Sequence, residues 1–460
     1  MLSLLTLLSC DRADDTLVEA SLVGAKGVTI TQVVLHQGPE RVLAVDGDSE
    51  EGELPLVAGR DALVRVFYTS DEDVGELVTG RLELANGARF DVDMERVAAS
   101  EEMDLDSTLN FTIPGDEIDE AFEYRVSILE EGRQDNESAY FPAEGFDLHE
   151  TTGQPTVFKL VLVPFEYNAD GSGRTPDTSD EAIAAYVDRF RQVYPIADVE
   201  ITVHDPVPWS SAIKGNGQGW QEVGFELYSL RASEGASEDS YYYGMFKPTD
   251  SLAQFCSGGC LLGVTLLNNT PSDVGEPSLR LGLGVGFEDV AADTMLHELG
   301  HAHGREHAPC GQGLDPSSID SDFPNNDGAV DGLMWDPVGG ELVTGMTDLM
   351  GYCSLQWSSA YTYTALHTRM VNIQNSGNAR SAGLDEDVLF VDGKGNARWG
   401  GVSGGGLQVG GERLAVQLDG ERSEGRFYRF SHLPGGWLVV PTGAQDVRFE
   451  LDGRVHIGTR

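Results

Sequence analysis

The segment from Thr294 to His307 constrains the fold more than any other, because it carries three histidines at fixed spacing. It reads Thr-Met-Leu-His-Glu-Leu-Gly-His-Ala-His-Gly-Arg-Glu-His. Positions i and i+4 of an α-helix lie about 40° apart around its axis, so His297 and His301 present their imidazoles to one point. Gly304 can adopt the left-handed conformation that ends a helix, and the turn then delivers His307 to that point. The sequence therefore predicts a helix, a sharp turn and a three-histidine centre.

Three histidine ligands leave one coordination position open for water, which is the arrangement of catalytic zinc. Glu298 directly follows the first histidine and is expected beside that water rather than on the metal, as a general base. His303 comes two residues after His301 and points off the ligand face, so we expect it at the surface or behind the ligands. The alternative, a helix with ordinary surface histidines, is disfavoured because the full eleven-residue pattern is rare by chance.

A second motif, Thr347-Asp-Leu-Met-Gly-Tyr-Cys353, follows the histidine pattern. Together the two motifs resemble the metzincin family of zinc metallopeptidases. The resemblance implies that Met350 lies in a tight turn beneath the metal, with Met334 and Met346 as competing candidates. Tyr352 is similar to the tyrosine that lies near the zinc of astacins and serralysins, where it would support the oxyanion; a plain buried tyrosine is the alternative. Mucin-cleaving bacterial metzincins and pappalysin-like enzymes both remain possible relatives.

The chain has five cysteines, and setting Cys10 aside leaves four that can pair without remainder. Cys256 and Cys260 enclose a Ser-Gly-Gly loop that could close on itself. Cys310 follows the third histidine by three residues, as Cys353 follows Met350, and the metzincin arrangement brings these segments together under the metal. We therefore predict a Cys310–Cys353 disulfide. A four-cysteine zinc site would need a second close pair, which is missing.

The hydrophobic pattern predicts a multidomain α+β protein. Short alternating runs from 20 to 150 are typical of an immunoglobulin-like β-sandwich, and residues 144–155 are interpreted as a linker. Strands and helices alternate from 156 to 376, as in a metzincin-like α/β catalytic domain. Short β-type runs from 385 to 460 predict a small C-terminal β-rich domain. Residues 282–286 are expected to form an edge strand on which a peptide substrate could lie.

Residues 1–19 resemble a signal of the bacterial lipoprotein type, in which Cys10 would receive the lipid. An ordinary secretion signal is the alternative. No other segment approaches the ~20 apolar residues of a membrane span. We therefore expect an exported protein, either a lipid-anchored protein of the cell surface or periplasm or a secreted one, without a transmembrane span.

The net charge of the chain argues against nucleic acid as a partner. Lys and Arg number 30 against 76 Asp and Glu, for a net charge of -46, which would repel the phosphates of a nucleic acid. A solvated acidic surface explains most of this excess. The stretch from Asp315 to Asp331 is rich in side-chain oxygens that could hold Ca²⁺, but its spacing fits no EF-hand, and turn-forming Asp and Asn residues are the favoured interpretation.

These observations predict a zinc-dependent endopeptidase that hydrolyses extracellular proteins or glycoproteins, with Glu298 as general base. The alternative is a surface adhesion or glycan-binding lipoprotein whose metalloprotease domain is vestigial. The intact Glu298 argues against that alternative, since an inactive descendant would be free to lose it.

Overall fold

The computed structural model describes residues 21–71, 74–267, 274, 277–311, 318–376, 386–402 and 411–460. It is a mixed α+β structure in which strands predominate, at 41% strand against 20% helix, so the predicted α+β class is confirmed. Within these ranges, no helix is both long and apolar enough to cross a membrane. The predicted signal segment and Cys10 lie outside the described residues.

The first part of the chain, from 21 to 150, consists of antiparallel strands. These are β1 (Ser21–Gly24), β2 (Val28–His36), β3 (Glu40–Val45), β4 (Asp48–Ser49), β5 (Ala62–Ser70), β6 (Leu77–Leu84), β7 (Arg89–Glu95), β8 (Leu109–Ile113), β9 (Ala121–Gly132), β10 (Tyr140–Phe141) and β11 (Asp147–Glu150). One sheet has the order β4-β3-β2-β5-β8, and the other β1-β9-β6-β7 with β10 and β11 also on β9. Alternating apolar side chains such as Val64, Phe111 and Leu82 share one core.

Strand β11 lies inside the stretch that the sequence predicts to be a linker, so that prediction is wrong. Residues 147–150 pair with β9, and the ring of His149 stacks on Tyr124 at 5.9 Å. The strand escapes detection because Leu148 faces solvent while the buried position is a histidine. Its polarity pattern is thus the reverse of an ordinary half-buried strand.

The middle part of the chain forms a mostly parallel sheet with helices on both faces. Its elements are β12 (Val157–Tyr167), α1 (Asp180–Val193), β13 (Asp198–Val203), β14 (Val207–Trp209), α2 (Trp220–Ser233), β15 (Ser240–Phe246), α3 (Leu252–Phe255), β16 (Gly263–Val264), β17 (Leu281–Val285) and α4 (Glu288–Ala302). The strand order is β13-β12-β15-β17-β16, and β16 alone is antiparallel to its neighbour among these five. Helices α1 and α4 contribute to the core on one face, and α2 to the core on the other.

The glycine-rich strand β17 is internal, which corrects the prediction that residues 282–286 form an edge. It lies between β15 and β16, and β16 is the edge strand beside it. Alternating glycines are needed there because a Cβ at Gly284 would collide with the hydroxyl of Tyr243, and one at Gly282 would lie 3.2 Å from the same ring. The pattern therefore reflects close packing against a neighbouring strand rather than an open edge.

Two short two-stranded sheets and a helix follow. They are β18 (Met334–Asp336), β19 (Glu341–Val343), β20 (Thr347–Asp348), β21 (Gln356–Trp357) and α5 (Ala360–Ser376). The last part of the chain is a seven-stranded sheet made of β22 (Glu386–Asp392), β23 (Ala397–Val402), β24 (Glu412–Leu418), β25 (Glu421–Arg429), β26 (Gly435–Pro441), β27 (Asp446–Leu451) and β28 (Arg454–Thr459). Its order is β23-β22-β26-β25-β24-β27-β28, and its outer strands approach each other so that it nearly closes into a barrel.

This last sheet is packed on helix α2 through aromatic side chains. Trp437 is fully buried, and its ring lies 5.8 Å from Phe225 and 5.5 Å from Tyr228. Phe390 lies 5.2 Å from Phe225 in the same apolar cluster. The contact fixes the turn between β25 and β26, residues 430–434, against the middle sheet.

Candidate metal centre

The structure brings His297, His301 and His307 to one point. The first two lie one turn apart on α4, and their Nε2 atoms are 3.1 Å apart. The helix ends at Ala302, Gly304 adopts a left-handed φ of +85°, and the Nε2 of His307 comes to 3.2 Å from that of His301. Four-coordinate zinc with Zn–N bonds of about 2.0–2.1 Å separates its ligand nitrogens by about 3.4 Å, so these spacings suit one zinc ion.

Hydrogen bonds orient the three imidazoles. The Nδ1 of His297 lies 2.8 Å from the carbonyl oxygen of Leu349, and the Nδ1 of His301 lies 2.6 Å from that of Arg305. Because a carbonyl oxygen only accepts, both Nδ1 atoms carry the proton and both Nε2 lone pairs face the centre. Burial lowers the pKa of all three histidines, that of His307 to about 3. The rings are therefore neutral near pH 7, as metal ligation requires.

The Met350 turn lies directly beneath α4. A Cβ on Gly300 would collide with the Sδ of Met350, so the two are in close contact. The buried carboxylate of Asp348 accepts hydrogen bonds from the backbone N–H groups of Met350, at 2.8 Å, and Ser359, at 3.0 Å. Burial raises the pKa of Asp348. Since Leu349 in this turn orients His297, the turn positions a candidate ligand as well as supporting the helix.

Several contacts fix the segment that carries His307. The guanidinium of Arg305 pairs with Asp320 at 2.7 Å and lies over the ring of Tyr361 at 4.6 Å. The cysteines that the sequence pairs, Cys310 and Cys353, lie within disulfide-bonding distance with Cα atoms 5.6 Å apart. Cys256 and Cys260 form a second such pair, with a Cα separation of 4.2 Å.

Glu298 lies beside the histidines without belonging to the group of candidate ligands. Its side chain is buried and lines a cavity of about 340 Å³ together with His297, Tyr352 and the rim strand that contains Gly263. A Cβ on Gly263 would lie 2.5 Å from the Cγ of Glu298. The carboxylate is thus held between the edge strand and the centre.

Tyr352 lies at the rim of the same cavity. Its ring centroid is 5.2 Å from that of His307 and 5.9 Å from that of His297, and the residue is 42% exposed. The alternative of a plain buried tyrosine is therefore wrong. Partial burial, with a smaller contribution from Glu298, raises the pKa of the phenol, so the hydroxyl remains a proton donor at neutral pH.

His432 is a component of the centre that the sequence did not indicate. It lies in the turn between β25 and β26, and its side chain is only 7% exposed. Its Nδ1 forms a hydrogen bond with the hydroxyl of Tyr352, and its Nε2 lies 2.8 Å from the Oε1 of Glu298. The ligand nitrogens of His432 and the three motif histidines all lie within 4.8 Å of one another. No local pattern around a lone turn histidine could have revealed this.

His303 is fully buried, so of the two positions expected for it, at the surface or behind the ligands, the surface position is wrong. Its ring stacks on Tyr241 at 4.6 Å and lies 5.6 Å from Phe158, and its Nδ1 is 2.7 Å from the carbonyl oxygen of Leu299. The helical turn of about 100° per residue directs it away from the ligand face, as expected, but into the core beneath rather than into solvent.

Over the described ranges, the four histidines are the one group of three or more metal-type side chains brought close together. Asp315 lies outside these ranges, and Asp320 of the same oxygen-rich stretch is engaged by Arg305 and by the hydroxyl of Tyr361.

Comparison with known proteins does not assign the chain to a family. No protein-family model matches the sequence, and no curated protein and no solved structure matches it either.

Proposed function

We propose that this protein is a zinc-dependent endopeptidase of the metzincin type that acts on extracellular proteins or glycoproteins. One observation carries the proposal: the Nε2 atoms of three buried histidines converge at one point, and the carboxylate of Glu298 lines the adjoining cavity beside them without joining the group. Such an arrangement places a base next to the fourth coordination position of the metal, the position at which zinc peptidases bind water.

The residues in and around the cavity would each have a separate role in the reaction. A zinc ion held by His297, His301 and His307 would supply a Lewis acid that lowers the pKa of water towards ~7. Glu298 removes a proton from the attacking water, whose oxygen bonds to the carbonyl carbon of the substrate. Glu298 then passes that proton to the amide nitrogen as the C–N bond breaks, which yields a carboxylic acid and an amine; the acid then gives its proton to the amine, leaving a carboxylate and an ammonium group. The protonated hydroxyl of Tyr352 is the candidate donor to the oxyanion.

We also infer how the chain divides into domains. Residues 20–150 would form an immunoglobulin-like sandwich, 156–376 the catalytic unit and 385–460 a β-rich domain. Two cysteine pairs at disulfide distance are typical of an oxidising compartment, which supports an exported protein, whether lipid-anchored or secreted.

Substitution of the base tests the proposal. Glu298→Gln removes the proton acceptor but no ligand, so bound zinc should stay at about one per chain while peptide hydrolysis falls by about 100- to 10,000-fold. His301→Ala should lose both zinc and activity. Elemental analysis and cleavage of a quenched fluorescent peptide measure the two quantities, and Glu288→Gln on the first turn of α4 is the matched control. A Glu298→Gln variant that keeps more than about a tenth of the activity, a deficit of only ~1.4 kcal/mol, would refute the role of Glu298.

A further inference from the structure

We propose that His432 is a fourth protein ligand of the metal, and that the turn of residues 430–434 closes the site in the conformation described above. The inference rests on the proposed function, because it concerns the same metal and the same cavity. It adds that the folded chain is a latent form whose metal has no open position for water.

The hydrogen bonding of His432 matches that of the motif histidines. In each of those, Nδ1 contacts an oxygen atom and Nε2 faces the centre. The Nδ1 of His432 contacts the hydroxyl oxygen of Tyr352, and its Nε2 faces the centre, where it lies 2.8 Å from the Oε1 of Glu298. A metal ion shared with the motif histidines would accept the lone pair of this Nε2 next to the carboxylate.

The ring positions agree with a shared ion. The centroid of His432 lies 4.7 Å from that of His307 and 5.0 Å from that of His301, compared with 4.6 Å between His301 and His307 themselves. His432 therefore approaches the centre as closely as the motif histidines approach one another. Four nitrogen ligands satisfy the tetrahedral preference of zinc and leave no place for water.

The chain before His432 occupies the edge of the middle sheet. The N–H of Leu267 donates to the carbonyl oxygen of Arg429 at 2.9 Å, and the N–H of Ser431 donates to that of Thr265, also at 2.9 Å. Leu266 and Phe430 form an antiparallel bridge between them. This edge continues β16, which lies beside Glu298, and extended peptides bind by adding a strand to such an edge. The turn thus fills the place where a substrate backbone would pair.

The same turn also engages the base. The hydroxyl of Ser431 donates to the Oε2 of Glu298 at 3.2 Å, while His432 lies against Oε1. Both carboxylate oxygens are therefore in contact with residues of the last sheet. Because that sheet shares an apolar cluster with α2, opening requires the turn to move while the sheet stays in place.

Cobalt substitution of the full chain tests this inference independently of activity. Wild-type protein loaded with Co²⁺ should give a visible spectrum that azide does not alter, because no coordination position is open. His432→Ala should bind Co²⁺ through the three motif histidines, and azide should shift its spectrum. His432→Gln, which preserves side-chain bulk, should behave in the same way. His456→Ala, a buried histidine of the same sheet, is the matched control and should resemble the wild type.

Peptide hydrolysis by the zinc forms completes the test. His432→Ala should cleave a model peptide at least about tenfold faster than the wild type. In the wild type only a minor population of molecules has the metal open to water, whereas in the variant every molecule does. Adding Glu298→Gln to His432→Ala should abolish this gain. A wild-type cobalt spectrum that already responds to azide, or hydrolysis that falls on loss of His432, overturns the inference. An azide response confined to the His432 variants, with no hydrolysis by any form, supports the fourth ligand and refutes the peptidase function.

Discussion

A disulfide between Cys310 and Cys353 should contribute about 4 kcal/mol to the stability of the candidate metal centre. The two cysteines are separated by 43 positions, and the chain-entropy relation for a loop of that length gives about 13 cal/mol/K, or ~4 kcal/mol at 25 °C. Cys256 and Cys260 are separated by only 4 positions, and the same relation gives about 2 kcal/mol for that shorter loop. The double replacements Cys310→Ala with Cys353→Ala and Cys256→Ala with Cys260→Ala are therefore a matched pair.

Hydrogen exchange on the zinc-free protein measures this difference locally. The most protected amides of α4, Glu288–Ala302, should exchange about a thousandfold faster without the longer link, since ~1.4 kcal/mol corresponds to a factor of ten. Loss of the shorter link should speed hydrogen exchange of the same α4 amides by about thirtyfold or less. Equal effects of the two double replacements would refute the loop-length argument. Recovery of Cys310 and Cys353 as free thiols from unreduced protein would refute the link itself.

Two further predictions concern Gly263 and His36. Gly263→Ala, made in the His432→Ala background, should lower peptide hydrolysis by about 100-fold without loss of zinc, because the added Cβ displaces Glu298. The control Gly258→Ala adds a Cβ that meets nothing within 4 Å and should leave hydrolysis unchanged. Equal losses of activity in the two variants would contradict this reasoning. Burial lowers the pKa of His36 from 6.5 to about 3, so the unfolded chain binds more protons between these values and His36 reduces stability as pH falls below 6.5. In urea unfolding between pH 7 and pH 4.5, the stability of His36→Leu should therefore fall by about 2.5 kcal/mol less than that of the wild type; an equal fall in both proteins would contradict a neutral buried His36.

The sequence predicts the local geometry of the centre well. The motif predicts a helix that carries His297 and His301 and ends near Gly304; α4 spans Glu288–Ala302 and is followed by the left-handed Gly304. The histidine spacing is a property of a single helical turn and one glycine, so neighbouring residues determine it. The mixed α/β pattern of the middle part also follows in part from local periodicity, as the helically spaced apolar residues of α1 show.

Errors occur where tertiary packing decides the outcome. The glycines of β17 are typical of an edge when considered alone, but the ring of Tyr243 on the adjacent strand is what requires them. His303 is polar and follows the ligands, yet Tyr241 and Phe158 enclose it because they lie on strands of the sheet that α4 covers. In both cases the partner residue is distant in the chain, and its proximity is known only once the sheet order is known.

The example of His432 shows that the dependence on distant residues also limits the prediction of function from sequence. The motif indicates which side chains one helix and one turn can bring together, and these account for three of the proposed ligands and for the proposed base. Whether the fourth position is open depends instead on how the last sheet docks, which is set by Trp437 against Phe225 and by the pairing of Ser431 with Thr265. None of these contacts lies near the motif in the sequence. The arrangement of the three histidines and Glu298 is thus encoded locally, whereas access to the proposed metal position is encoded in the interface between two parts of the fold.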